Sequence, residues 1–88
     1  MTPAETFAAN LERLIVEDGR SRWQIATACW PEATPDVALR KLRRALGTAP
    51  KMAGPRWPTG DVVESLVRGL RLPSLAPLFQ PRGEDEDP

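Results

Sequence analysis

Residues 21–47 read SRWQIATACWPEATPDVALRKLRRALG, and this stretch decides the fold. Ser21-Arg22-Trp23-Gln24 has the form of a capping box, in which the serine hydroxyl accepts from a backbone amide and Gln24 reaches back to the cap. It predicts a short helix through Ile25, Ala26 and Cys29. Trp30 precedes Pro31, and a residue before proline avoids the helical region, so the helix ends there. After the linker Pro31-Glu32-Ala33, Thr34-Pro35 supplies a second cap with proline at the first helical position. The next helix is expected from Pro35 to about Leu46, with Gly47 as its stop. On a helical wheel Leu39, Leu42 and Leu46 fall together, with Ala38 and Ala45 beside them. Asp36, Val37, Arg40, Lys41, Arg43 and Arg44 fill the opposite half, so one helix has a leucine face and a basic face.

Working outward, Thr2-Pro3-Ala4-Glu5 opens an earlier helix whose Phe7, Leu11, Leu14 and Ile15 form one stripe. Gly19 ends it. Thr48 to Pro58 holds three prolines and one glycine without periodicity, and reads as a loop carrying Lys51 and Arg56. Thr59 or Gly60 caps a further helix with Val62, Val63, Leu66, Val67 and Leu70 on one side. A last helical turn is expected to dock Leu75, Leu78 and Phe79. No strand-like alternation and no internal repeat occur. The expected fold is all-α, a compact bundle of four to five short helices over residues 1–80, followed by a disordered acidic tail at residues 81–88.

The chain has 88 residues, so a single domain is expected. One cysteine, Cys29, cannot form an internal disulfide, and no histidine is present. That composition removes a stapled secreted scaffold, a Ser-His or Cys-His pair and an ordinary zinc set. No apolar run nears the ~18 residues of a membrane span, and no leader pattern opens the chain. A soluble cytoplasmic protein without cofactor or metal, and not an enzyme, is the expectation.

Twelve basic and twelve acidic residues give a net charge of zero, which at first argues against a nucleic-acid partner. The sum hides a segregation. Residues 81–88 hold four acids and one base, so residues 1–80 carry eleven bases against eight acids. From Val37 to Gly60 stand Arg40, Lys41, Arg43, Arg44, Lys51 and Arg56 with no acid. Local potential follows such clustering rather than the total.

Two short helices around a turn, with a longer amphipathic helix before them, look like a helix-turn-helix. Over residues 5–80 the chain resembles the Cro and lambda-repressor superfamily, the XRE family. The matching features are Asn10-Leu11 to Leu14-Ile15, Ser21-Arg22 with Ile25-Ala26, Arg56-Trp57-Pro58, and Gly69-Leu70-Arg71-Leu72-Pro73 before Leu78-Phe79. Three features depart from the family: Trp30 stands where it usually has glycine, the turn before Pro35 is about two residues longer, and the loop from Thr48 to Pro58 is also long.

The resemblance implies a double-stranded DNA-binding transcriptional regulator, repressor-like, of phage or mobile-element type, working as a homodimer. The Pro35–Leu46 helix would enter the major groove, with Asp36, Val37 and Arg40 as base readers. Ser21, Arg22, Lys41, Arg43, Arg44, Lys51 and Arg56 would meet phosphates. An ordinary solvated surface is the plainer reading of the basic face. Trp23, Trp30 and Trp57 are expected partly buried around a small core, and an exposed one would mark a protein interface. The tail is either a solubilising end, a competitor of DNA for the basic face, or a contact for a partner protein. The alternative function is a small protein-binding module on the same scaffold, inhibitor- or antitoxin-like, acting on a partner protein.

Overall fold

Each expected start signal is used. In a computed structural model, which describes residues 2–80, the helices are α1 (Pro3–Asp18), α2 (Arg22–Cys29), α3 (Pro35–Leu46), α4 (Gly60–Gly69) and α5 (Ala76–Phe79). No strand occurs among the described residues, and the fold is all-α and compact. The expected acidic tail, residues 81–88, lies outside them. Thr2 and Ser21 close full capping boxes with Glu5 and Gln24. Thr34 and Thr59 accept from the amides of Val37 and Val62, which decides the α4 cap in favour of the threonine.

The core is a single cluster. Phe7, Leu11 and Ile15 of α1 meet Ile25, Ala26 and Cys29 of α2, Ala38 and Leu42 of α3, Leu66 of α4 and Leu78 of α5. Within this frame α2 packs on α3 and α4, while α1 packs on α5 and α3. Val62, Val63 and Val67 are only half-buried, because they lie at the rim of the α4 stripe whose centre is Leu66.

Polar groups lock the packing. Asn10 is buried, and its Nδ2 donates to the carbonyls of Leu78 (3.0 Å) and Gln80 (2.8 Å), fixing the last helical turn to α1. Arg13 donates to Asn10 Oδ1 at 2.8 Å. Two more arginines seal helix ends: Arg20 donates to the carbonyl of Gly69 at 2.8 Å, and Arg68 to that of Cys29 at 3.2 Å. These carbonyls stand in last turns, where no intrahelical donor is left for them.

Cys29 is fully buried. Burial pushes its thiol up to about 11, only partly offset by Arg20 and Arg68. An unfolded thiol ionises near its ordinary 9.0, so between 9.0 and about 11 the unfolded chain sheds a proton that the folded chain keeps. Stability is therefore whole below pH ~9 and falls by about 1.4 kcal/mol per pH unit up to the folded value. Urea midpoints at pH 8 and pH 10.5 are expected to diverge more in the native protein than in Cys29→Ala. Equal divergence would remove the thiol as the cause.

Two expectations are corrected. Leu75 does not dock: it is 55% exposed, since it precedes the single turn of α5, which points Leu78 inward instead. The tryptophans do not behave alike. Trp30 is buried at the α2 C-terminus, but Trp23 is 49% and Trp57 61% exposed. Trp23 sits on the outer side of α2, where Ile25, Ala26 and Cys29 already fill the inner side. Trp57 stands in a loop stretch outside any helix.

Candidate nucleic-acid interface

The site is built on α3. Thr34 caps it, Pro35 fixes its first turn, and Asp36 meets the positive end of the helix dipole. Ala38, Leu42, Ala45 and Leu46 are buried, and this anchoring turns Arg40, Lys41, Arg43 and Arg44 outward. At the other end Gly47 takes φ 77°, and a Cβ there would lie 2.8 Å from Pro55 Cα. Only glycine permits both, so the chain reverses here and folds the Thr48–Pro58 loop back beside α3.

That reversal brings Arg56 to the helix. A cleft of about 650 Å³ is lined by Lys41, Arg44 and Arg56 together with Trp30, Ala45, Trp57 and Val62. Asp61 is the one acid on its wall. The Lys41 Nζ lies 6.0 Å from the centre of the Trp30 ring, at the outer limit of a cation–π contact. Beside this cleft, Asp36, Arg40 and Arg43 line a depression of about 480 Å³ closed by Ala49 and Pro50. Arg44 borders both. Lys51 lines neither; it is exposed at φ 68°, a left-handed conformation that costs a non-glycine residue about 1–2 kcal/mol.

Ten of the eleven described basic residues fall into two sets, and Arg71, exposed and without an ion pair among the described residues, stands outside both. Arg13, Arg20, Arg22 and Arg68 are held by protein groups: Glu17, Asp18, Glu12 and the Cys29 carbonyl respectively. The Arg20 guanidinium in turn holds the Asp18 carboxyl below the usual carboxylate range. Arg40, Lys41, Arg43, Arg44, Lys51 and Arg56 are all exposed, and none forms an ion pair among the described residues. Of the expected base readers, Asp36 and Arg40 are exposed and Val37 is half-buried, on the same outward side.

Ser21 and Arg22 stand apart from this set. The Ser21 hydroxyl already accepts from Gln24 at 3.1 Å, and Arg22 already grips both oxygens of Glu12 at 2.9 and 2.7 Å. The Ser21 O–H is still free to donate to a phosphate, whereas the charge of Arg22 is already countered by Glu12. Among the described residues no three potential metal ligands come together, and no helix is long and apolar enough to cross a membrane.

A second surface was not assembled by the sequence reading. Trp57, Val63, Val67, Leu75 and Phe79 line an apolar groove of about 450 Å³ whose one charged residue is Glu64. Its wall continues inward as an aromatic stack: Trp57 lies 5.2 Å from Phe79, and Phe79 lies 5.5 Å from Phe7 in the core. Helix α4, the last helical turn and Trp57 are separate in the sequence, and the fold brings them to one place. Comparison with protein-family models, with curated proteins and with solved structures finds no match.

Proposed function

We propose that the chain is a sequence-specific double-stranded DNA-binding regulator of the helix-turn-helix type, acting in the cytoplasm, with α3 as its reading helix. One observation carries the reading. Of the five described arginines outside the acid-free stretch, Arg13, Arg20, Arg22 and Arg68 are engaged by protein groups and Arg71 is not, while all six bases within that stretch are exposed and without ion partners among the described residues. Duplex DNA supplies a regular row of phosphates to such a surface, and base edges to a helix lying in its major groove. Asp36, Val37 and Arg40 face those edges: arginine forks onto guanine, the carboxylate accepts from cytosine, and valine packs on a thymine methyl. Lys41, Arg43, Arg44, Lys51 and Arg56 neutralise phosphates, Ser21 donates its hydroxyl to one, and Arg22 joins them by giving up Glu12.

A single module of this size reads few base pairs, so the proposal includes a homodimer joined through the Trp57–Leu75 groove. The same groove supports a second reading, an inhibitor- or antitoxin-like module that binds a partner protein, because exposed tryptophan is enriched at protein interfaces. Duplex titrations of two variants test the first reading. With a sequence selected from a random pool, Arg40→Ala is expected to lose about 1–3 kcal/mol of discrimination against random duplex, while Arg44→Ala weakens both duplexes alike. Equal losses for Arg40→Ala would remove it from the base readers. Absence of duplex binding at low salt sinks the DNA reading and leaves the second.

A further inference from the structure

The cationic cleft has a candidate occupant within the same chain. Residues 81–88 follow Gln80 directly and read Pro-Arg-Gly-Glu-Asp-Glu-Asp-Pro. Apart from two prolines they offer no apolar side chain, so they do not fit the apolar groove on α4. Their four consecutive carboxylates do match the cluster of Lys41, Arg44 and Arg56.

The fold also sets where this segment leaves the body. The Gln80 carbonyl is held by Asn10 at 2.8 Å. Phe79, one residue earlier, stacks on Trp57, and Trp57 is itself a wall of the cationic cleft beside Arg56. Gln80 thus follows a ring that touches Trp57, a residue of the cleft wall. An extended chain covers ~3.3–3.6 Å per residue, so the four residues to Glu84 can span at most about 13–14 Å and the seven to Asp87 about 23–25 Å.

We propose that residues 84–87 occupy the surface formed by Lys41, Arg44 and Arg56, making the protein's own carboxylates the first ligand of this site. The contact itself is independent of DNA. Its regulatory meaning, that a duplex must displace the tail, rests on the DNA reading above.

Lysine placement makes the contact measurable. The chain holds two lysines, Lys41 and Lys51, both in the acid-free stretch. A water-soluble carbodiimide joins a carboxylate to a nearby amine as an amide, taking up the water lost. Dilute full-length protein treated at low salt is expected to give a monomeric product in which the 84–87 peptide is linked to Lys41 in preference to Lys51, which lies outside the cleft. The yield is expected to fall several-fold in Arg44→Ala/Arg56→Ala, which keeps both lysines and loses only exposed side chains, with circular dichroism verifying the fold. An unchanged yield in that variant, or no tail-to-lysine product in the native chain, overturns the proposal.

Duplex binding separates this result from the earlier one. If the tail covers the cleft two-thirds of the time, neutralising it with Glu84→Gln, Asp85→Asn, Glu86→Gln and Asp87→Asn tightens DNA binding about threefold. Cross-linking with no DNA binding by either protein upholds the tail contact and rejects the DNA reading. DNA binding with no cross-link does the reverse.

Discussion

Raising monovalent salt from about 50 to about 200 mM is expected to weaken duplex DNA binding roughly 500-fold. The figure follows from five phosphate contacts, by Lys41, Arg43, Arg44, Lys51 and Arg56. Each contact releases close to ~0.9 of a condensed cation, giving a slope of about −4.5 in a plot of log affinity against log salt. The structure gives this estimate a clean baseline. None of these five bases holds an ion pair among the described residues, so added salt has no internal bridge of theirs to loosen. Arg22 differs, because its grip on Glu12 would have to break before it could meet a phosphate. A measured slope of about −5.4, at ~0.9 per contact, would enlist Arg22 as a sixth, and a flat plot would end the DNA assignment. Fluorescence anisotropy of a labelled duplex at four or five salt concentrations is sufficient.

Gly69→Ala is expected to lower the thermal midpoint by roughly 12–24 °C, from a loss of about 3 kcal/mol at ~4–8 °C per kcal/mol in a domain this small. The cause is a close approach of α2 and α4. A Cβ at residue 69 would lie 2.7 Å from Cys29 Cα and 2.8 Å from Cys29 N. These are backbone atoms, which cannot swing aside as a side chain would. Both ends are also latched, by Arg20 on the Gly69 carbonyl and Arg68 on the Cys29 carbonyl. Separating the helices to admit the methyl group therefore strains two charged hydrogen bonds as well as the core. Removing the sulfur does not help, since the backbone contact persists, so Gly69→Ala/Cys29→Ala stays destabilised. A shift below ~4 °C in thermal circular dichroism would show that the helices separate freely.

Local signals were legible in the sequence, and long-range ones were not. The caps at Thr2, Ser21 and Thr34 and the glycine stops after α1 and α3 act within four residues, and they appear where the residue types require them. The leucine face of α3 follows from periodicity alone. Gly69 carries no such mark. It sits inside α4 and serves a contact with Cys29, forty residues earlier in the chain. Asn10 looks like one more polar residue on α1 until α5 presents its carbonyls. Leu75 departs for the opposite reason: apolar composition suggests burial, but it precedes α5, whose single turn presents Leu78 and Phe79 to α1. The candidate site divides similarly. Clustering of bases along the chain located the cationic face, while the cleft depends on Gly47 folding the loop back, which no spacing of charges encodes.

The bond from Asn10 to Gln80 has a consequence for how the protein is made. It joins residues 70 positions apart, and Phe7 rests on Phe79 beside it. Helix α1 is therefore made before the other four described helices and has its partners complete only once α5 follows. At ~5–20 residues per second, a newly made α1 waits roughly 4–14 s for the turn that satisfies Asn10. During that interval Phe7 lacks the Phe79 ring and Asn10 its two carbonyl acceptors, while the packing of α1 on α3 needs no residue beyond Leu46. The seam between α1 and α5 is thus the part of the bundle that its last described residues complete.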